Sequence, residues 1–124
     1  MIKRDVAKQV GGGRLLVVDP DGLMRWSVKA FLGDVLDVIS AESTTGALEL
    51  LNDQGVDAVV VSEDLPNSGA DIVEKRARAR NPGVVVVRTV SEPVAQDAEL
   101  KSTVRLEKPF KLTRLAELLG VSCR

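Results

Sequence analysis

The sequence contains no histidine. Histidine is the commonest general base near neutral pH and the commonest protein ligand for zinc. Its absence excludes a Ser-His-Asp hydrolase and a metalloenzyme whose metal is held by imidazole. We assign no catalytic residue, and we expect a protein that works by binding and is not an enzyme.

Cysteine is almost absent, and long apolar runs are missing. Cys123 is the only cysteine, so an intramolecular disulfide is excluded and a reducing, cytoplasmic location is expected. The apolar runs are only a few residues long, well short of the ~20 residues that span a membrane. We therefore expect a soluble protein that does not contact a membrane.

The first thirteen residues lack the apolar core of a signal sequence. They carry Lys3, Arg4 and Lys8 and end in three consecutive glycines. Charge and glycine together are typical of a flexible segment that precedes a fold. We expect a flexible leader over residues 1–13 and one domain over residues 14–124, a length that suits a single hydrophobic core.

No excess of positive charge indicates a nucleic-acid partner. The chain has 17 Lys and Arg against 18 Asp and Glu, so its net charge does not attract a polyanion. The basic run in residues 74–80 has no aromatic side chain between its cations, and it ends a helical segment, where the helix dipole favours cations. We interpret this run as a solvated helix face and expect no nucleic acid.

Apolar periodicity predicts five strands that alternate with five helices. Short β-branched runs predict strands at 15–18, 35–41, 58–61, 84–87 and 104–106, and helical spacing predicts helices within 23–32, 47–51, 72–77, 93–100 and 112–119. Trp26 shares the apolar stripe of the first helix, so we expect it in the core. Strands that are apolar on consecutive residues must be covered on both faces, which indicates an α/β fold with a doubly wound parallel sheet.

In such a sheet, ligands gather at the carboxyl ends of the strands. Four pieces of that edge together resemble the receiver domain of two-component response regulators: Lys108-Pro109-Phe110 after the fifth strand, Leu65-Pro66-Asn67-Ser68-Gly69 after the third, Asp19 after the first and Thr89 after the fourth. The resemblance covers residues 14–120. It implies a flavodoxin-like (βα)5 sandwich whose parallel five-stranded sheet has the order 2-1-3-4-5.

The resemblance also implies a chemistry for this edge. In the family, three carboxylates hold Mg²⁺, one of them accepts a phosphoryl group, and a lysine and a hydroxyl residue receive the new phosphate oxygens. By position, Lys108 matches the lysine and Thr89 matches the hydroxyl residue. Ser62, four residues before Pro66, matches the phosphoacceptor.

Four residues depart from the family's pattern. Ser62 stands at the acceptor position and Pro20 at the position of a second acid, so two of the three magnesium ligands are missing. Val90 takes a position that is usually small, and Arg105 replaces the aromatic switch residue. Because a serine cannot form an acyl phosphate and no histidine can act as its base, we expect a degenerate receiver, or pseudo-receiver.

Several site residues have two open interpretations. Asp21 either caps the first helix or replaces the lost acid, and Asp64 either lies in a loop or joins Asp19 and Asp21 in a rebuilt magnesium site. Lys108 either pairs with Asp19, leaving a charge-balanced pocket that needs no metal, or reaches solvent. Thr89 is expected to satisfy a local backbone group. We expect no cofactor, with Mg²⁺ as the alternative.

Three functions are compared. The leading hypothesis is a receiver-type domain of two-component phosphorelay signalling that acts by protein–protein interaction and independently of phosphorylation. The first alternative is an active receiver with a displaced acceptor, Glu63 or Asp64, and a rebuilt magnesium site. The second is a small flavodoxin-like nucleotide-binding module, although the chain has no Gly-x-Gly-x-x-Gly or Walker motif and its three glycines precede the first strand.

The resemblance implies a partner surface formed by the fourth helix, the fifth strand and the fifth helix. In this sequence that surface offers Val94, Leu100, Val104, Arg105 and Lys111. We expect a protein partner, or a second copy of the chain in a homodimer, to bind there.

Overall fold

The structure, a computed structural model, describes residues 13–92 and 103–121. Its elements in chain order are β1 (Arg14–Val18), α1 (Gly22–Leu32), β2 (Asp37–Ala41), α2 (Thr44–Asp53), β3 (Ala58–Ser62), α3 (Gly69–Arg80), β4 (Val85–Val90), β5 (Thr103–Glu107) and α4 (Leu112–Leu119). The expected helix at 93–100, residues 1–12 of the expected leader, and Val94, Leu100 and Cys123 lie outside the described residues. Within the two described ranges, no helix has the length and apolar character needed to cross a membrane.

All five strands are parallel and follow the order β2-β1-β3-β4-β5. This order confirms the expected α/β class and flavodoxin-like topology. Every residue of β3 is buried, and so are four of the five residues of β1, because helices cover both faces of the interior strands. The register places Ser62 beside Thr89 and Arg88 beside Arg105, so neighbouring strands bring these side chains to one end of the sheet.

Two hydrophobic clusters cover the two faces of the sheet, because successive strand side chains point to opposite faces. One cluster joins Leu16 to Leu51 of α2 and Val73 of α3. The other joins Leu15 to α1 and to Leu115 of α4. All four leucines and Val73 are fully buried. The sheet therefore lies between two helical layers, as the consecutive apolar runs predicted.

Short polar caps define the helices that begin at the carboxyl edge. The Asp21 side chain accepts a hydrogen bond from the Leu23 N–H at 2.9 Å and caps α1. The Ser43 side chain accepts one from the Gly46 N–H at 3.1 Å and caps α2. Each cap satisfies a backbone donor that the first helical turn leaves without a partner. The caps fix where the loops of the carboxyl edge enter the helices.

The loop between β3 and α3 requires its glycine. Asn67 and Ser68 both have positive φ, 56° and 59°, so the chain reverses sharply before α3 begins. A Cβ added at Gly69 would lie 2.9 Å from the Leu65 Cβ and would also collide with the Thr44 hydroxyl. Only glycine lets the start of α3 approach this closely, which gives the Leu65–Gly69 piece of the resemblance a steric reason.

Trp26 does not lie in the core, so that expectation is wrong. The residue is 67% exposed, and Leu23 on the same side of α1 is 69% exposed. At about 100° per residue, Trp26 lies nearly opposite Met24 and Val28 on the helix. The residues of α1 that pack on the sheet are instead Met24, Val28, Phe31 and Leu32.

The second strand begins at Asp37 and not at Val35. The Leu32 carbonyl accepts hydrogen bonds from the Val35 and Leu36 N–H groups at 3.0 and 2.9 Å. These bonds continue the end of α1 as a turn. The apolar run at 35–36 is therefore part of the helix terminus, where Leu36 is buried without being in the sheet.

The basic run of α3 binds the end of the neighbouring helix. Arg80 donates to the carbonyls of Leu51 and Asn52, and Arg76 donates to the Asn52 side chain at 2.6 Å. The last carbonyls of a helix have no partner within it and carry partial negative charge. These arginines therefore join α3 to the C-terminal end of α2.

Candidate functional site

Five polar side chains lie close to the carboxyl edge of the sheet, because parallel strands all end on the same side. We call them the strand-end site. Asp19 follows β1, Ser62 ends β3, Asp64 lies two residues later, Thr89 belongs to β4 and Lys108 follows β5. The structure thus places together most of the positions that the sequence singled out.

Asp19 is a buried residue that contacts four neighbouring polar groups. Its side chain is 4% exposed; one carboxylate oxygen accepts from the Asp21 N–H at 2.8 Å and the other lies 3.2 Å from the Lys108 ammonium. Its backbone N–H donates to the Ala41 carbonyl at 3.1 Å, and its carbonyl accepts from the Arg25 guanidinium at 2.9 Å. Burial of a carboxylate is tolerated only with such partners.

Ser62 is fully buried at the end of β3. Its hydroxyl oxygen accepts a hydrogen bond from the Asp64 N–H at 3.0 Å and a longer one from Lys108 at 3.4 Å. The bond from Asp64 closes a short turn in which a serine side chain replaces a backbone acceptor. The Ser62 hydroxyl therefore stabilises the loop that follows β3.

Lys108 has two carboxylate partners. Its ammonium lies 3.2 Å from an Asp19 oxygen and 3.4 Å from an Asp64 oxygen, and its side chain is 19% exposed. Asp64 is about half exposed and also accepts from the Ser91 hydroxyl at 3.0 Å. The structure favours the interpretation in which Lys108 forms an ion pair with Asp19, and it adds Asp64 as a second partner.

The residues present do not fit a magnesium ion. Among the residues described, no group of three or more His, Cys, Asp and Glu side chains is arranged to hold a metal. Asp21 caps α1 and does not join Asp19 and Asp64, and Pro20 supplies no carboxylate. Mg²⁺ demands near-octahedral oxygen ligands at ~2.0–2.1 Å. Here an ammonium lies between the two carboxylates, where a metal ion would have to sit, and offsets part of their negative charge.

Thr89 keeps a hydroxyl that lacks a hydrogen-bond partner among the described residues. The residue is 1% exposed. Among the described residues, its Oγ1 is the one buried side-chain nitrogen or oxygen that has no hydrogen-bond partner. Its backbone carbonyl accepts from the Glu63 N–H at 2.9 Å. The hydroxyl does not satisfy a local backbone group, contrary to the expectation.

Glu63 points away from the strand-end site. Its carboxylate accepts from Arg88 at 2.9 Å and from Arg105 at 3.1 Å. Arg105 is thereby attached to the residue that follows Ser62. Of the two candidate displaced acceptors, Asp64 lies beside Lys108 and Glu63 does not.

A second charged cluster around Arg88 lies beside the strand-end site, and sequence reasoning missed it. Arg88 contacts the carboxylates of Glu63, Asp71 and Glu74 at 2.9, 2.7 and 2.9 Å, and its side chain is 16% exposed. Thr103 also donates to Glu74 at 2.6 Å. The sequence contains one indication of this cluster: Arg88 directly follows four valines, and Asp71 and Glu74 are three residues apart and so share one side of α3.

This Arg88 cluster shifts two ionisations. Burial alone would raise the pKa of Glu74, but hydrogen bonds from Thr103, Arg88 and Arg78, with the charge of Arg78, lower that pKa below its ordinary value of 4.5. Burial would lower the pKa of Arg88, but its bonds to Asp71 and Glu74 and the charge of Glu63 raise it. Each shift favours the charged form of its own group.

A cleft of about 350 Å³ opens on the β2 side of the carboxyl edge. Its walls come from the loops after β1, β2 and β3 and from the first turns of α2 and α3, and they comprise Pro20, Glu42, Ser43, Thr44, Thr45, Leu65, Pro66, Asn67 and Ile72. None of these lining residues is a lysine or an arginine. The cleft therefore offers no side-chain cation to a phosphate group.

Comparison with known proteins gives matches in structure and not in sequence. No protein-family model matches the chain, and no curated protein matches it. It is similar to the crystal structure of a response regulator receiver protein from Sinorhizobium medicae WSM419, with a TM-score of 0.73, 24% identity, and coverage of 86% of this chain and 94% of that chain.

Two further solved structures show the same likeness. The chemotaxis response regulator CheY4 of Vibrio cholerae matches with a TM-score of 0.73 and 21% identity over 86% of this chain and 94% of that one. A CheY-like receiver domain from Methylobacillus flagellatus matches with a TM-score of 0.69 and 25% identity over the same shares. The chain has the fold of response regulator receiver domains.

Proposed function

We propose that the chain is a receiver-type signalling domain that regulates protein partners by binding, without phosphorylation of an aspartate and without catalysis. The fold supports the receiver type. The observation that carries the rest is Ser62, which is fully buried at the acceptor position and whose hydroxyl accepts from the Asp64 N–H. The proposal thus separates the receiver fold from the usual phosphoryl chemistry.

Among the described residues, no side chain accepts a hydrogen bond from the Ser62 hydroxyl, so none is placed to activate it. A serine hydroxyl becomes a nucleophile when a neighbouring base removes its proton. The cation beside it, Lys108, is paired with two carboxylates and is a donor to the hydroxyl, not a base. Access of a phosphoryl donor to a side chain with no exposed surface would also require the loop after β3 to open.

One observation favours a second candidate, the active receiver with a displaced acceptor. Asp64 is about half exposed and lies 3.4 Å from the Lys108 ammonium, so a phosphoryl group on it would meet a cation. Glu63 is less suited, because Arg88 and Arg105 hold its carboxylate elsewhere. The rebuilt magnesium site that this alternative needs has only Asp19 and Asp64 beside Lys108. The nucleotide-binding alternative gains no support, since the cleft lacks a lining cation.

Acetyl phosphate with magnesium tests the proposal directly. The wild-type chain is expected to keep its mass unchanged when intact mass is measured after incubation. A single phosphoryl adduct would contradict the proposal. Loss of that adduct in Asp64→Asn, but not in Glu63→Gln, would establish the displaced acceptor.

The partner surface belongs to this proposal. Of the expected positions, Val104 is half-buried in β5, while Arg105 and Lys111 are exposed. Arg105 keeps 41% of its side chain exposed while bound to Glu63, so it presents a fixed positive charge. Fixed cations and exposed strand-edge residues suit recognition of a protein with complementary acidic groups.

A further inference from the structure

We infer that the strand-end site has a resident cation, the ammonium of Lys108, in the role that a separate metal ion would otherwise have. Three oxygens surround this ammonium: one from Asp19 at 3.2 Å, one from Asp64 at 3.4 Å and the Ser62 hydroxyl at 3.4 Å. They belong to the end of β1, the end of β3 and the loop after it. The cation itself comes from the end of β5.

Burial shows that this cation is required. The Asp19 side chain is 4% exposed, and a buried carboxylate without a nearby positive charge is strongly disfavoured. The Asp21 N–H donates to one of its oxygens, which leaves the other to Lys108. Arg25 binds the Asp19 carbonyl and not its carboxylate. Among the described side chains, Lys108 is therefore the charge that balances Asp19.

The same geometry excludes a divalent ion from this point. The ammonium occupies the space between the two carboxylates, so a metal ion would bring a like charge beside it. Two carboxylates and one hydroxyl, completed by water, could hold Mg²⁺ once Lys108 is removed, so it is the ammonium that keeps a divalent ion out. The occupant of the site is thus covalently attached to the chain and does not exchange with the solution.

An attached cation makes the carboxyl edge independent of metal concentration. Lys108 joins three strand ends through one charged group, so the positions of Asp19, Asp64 and the β5 loop do not depend on bound magnesium. A receiver fold with this device presents one conformation of its edge to partners. The inference concerns the site of the proposed function, but it does not depend on whether a partner binds.

Lys108→Met tests the resident cation, because methionine keeps most of the side-chain volume and removes the charge. Lys29→Met is the control, since Lys29 is an exposed lysine of α1 outside the strand-end site and the proposed partner surface. At matched ionic strength, millimolar magnesium or calcium should leave the melting temperature of the wild type and that of Lys29→Met unchanged. Without divalent ions, the melting temperature of Lys108→Met should be several degrees below that of the wild type. Either divalent ion should restore at least half of that difference.

A second measurement uses the wild-type chain alone. In a magnesium titration followed by amide chemical shifts, residues 19–21 and 62–65 are expected not to respond. A response there at millimolar magnesium would overturn the inference, as would Lys108→Met melting at the wild-type temperature or gaining nothing from divalent ions. If Lys108→Met folds only with a divalent ion present, the inference is supported. A phosphoryl adduct on the wild type that forms without a shift on magnesium would contradict the proposed function but not the resident cation.

Discussion

At the scale of single residues, exposure decides what a side chain contributes, and α1 contains both extremes. Leu32 is fully buried, whereas Trp26 is 67% exposed. Truncating a buried leucine removes transfer energy and leaves a cavity, at a cost of about 2–5 kcal/mol. An exposed residue away from such features changes stability by only about 0.5 kcal/mol.

Trp26→Ser is therefore expected to lower the free energy of unfolding by less than about 1 kcal/mol, because little of its surface leaves water on folding. Leu32→Ala in the same helix is expected to cost at least about 2 kcal/mol. Urea denaturation followed by circular dichroism measures both, since the first variant lacks the tryptophan signal. Equal losses would contradict the exposed position of Trp26.

Single positions also show what sequence reasoning can reach. Asp19, Ser62, Thr89 and Lys108 could be placed together, because parallel strands end at one edge and each residue follows an apolar run. The partners of Lys108 could be inferred only in part. Asp19 is a predicted partner, but the pairing with Asp64 depends on the turn that Ser62 closes, which the sequence does not reveal. Trp26 was misplaced because apolar identity was taken as burial, whereas its angle on the helix relative to Met24 and Val28 decides its exposure.

At the scale of elements, charged side chains join α3, β4 and β5 where apolar contacts could have done so. Arg88 of β4 binds Glu63, Asp71 and Glu74, and Thr103 of β5 binds Glu74. Removing the one cation that these three carboxylates share leaves like charges together at a partly buried position. Such a loss costs more than that of an exposed ion pair.

Arg88→Leu is expected to lower the free energy of unfolding by about 1–3 kcal/mol at neutral pH, because it removes the partly buried cation that contacts all three carboxylates and leaves Glu63 with Arg105 and Glu74 with Arg78. Arg76→Leu, which removes one bond to the Asn52 side chain, is expected to cost less than about 1 kcal/mol. Denaturant unfolding at neutral pH compares them. A loss for Arg88→Leu no larger than that for Arg76→Leu would show that the Arg88 cluster does not stabilise the fold.

Lowering the pH should reduce the contribution of the Arg88 cluster to stability. The pKa of Glu74 is lowered in the folded chain from 4.5, so its contribution is fully present above the unfolded pKa and is lost as pH falls through the folded pKa. Unfolding followed from pH 7 downward should show wild-type stability falling below about pH 4.5. Arg88→Leu lacks the Arg88 share of this contribution but keeps Thr103 and Arg78 beside Glu74. The stability difference between the two proteins should therefore narrow at low pH, and a constant difference would contradict the assignment.

The elements themselves were largely predictable. The four-valine run that contributes to β4 and the apolar run of β3 before Ser62 are recognisable as buried parallel strands. The start of β2 at Asp37 was not predictable. It depends on the turn that follows α1, whose hydrogen bonds to the Leu32 carbonyl cannot be inferred from hydrophobic periodicity. The Arg88 cluster was not predicted, because the predicted fourth strand ends at residue 87 whereas β4 continues to Val90.

At the scale of the whole molecule, charge at the carboxyl edge is arranged in two neighbouring units. The strand-end site pairs Lys108 with Asp19 and Asp64, and the Arg88 cluster attaches Arg105 to Glu63, the residue between Ser62 and Asp64. The two units meet in the loop after β3. This loop is held from both sides by cations of β4, β5 and the segment after β5.

The proposed partner surface can be tested through Arg105, because this arginine is exposed on β5 and fixed by Glu63. Arg105→Glu would place two carboxylates side by side and reverse the charge that the surface presents. If copies of the chain associate through this face, light scattering over a range of protein concentrations should show at least a several-fold weaker association than in the wild type, with the circular dichroism spectrum unchanged. Lys29→Glu, which reverses an exposed charge on α1, should leave association as it was. Unchanged association of Arg105→Glu, or an equal loss in both variants, would place the contact between copies elsewhere on the molecule.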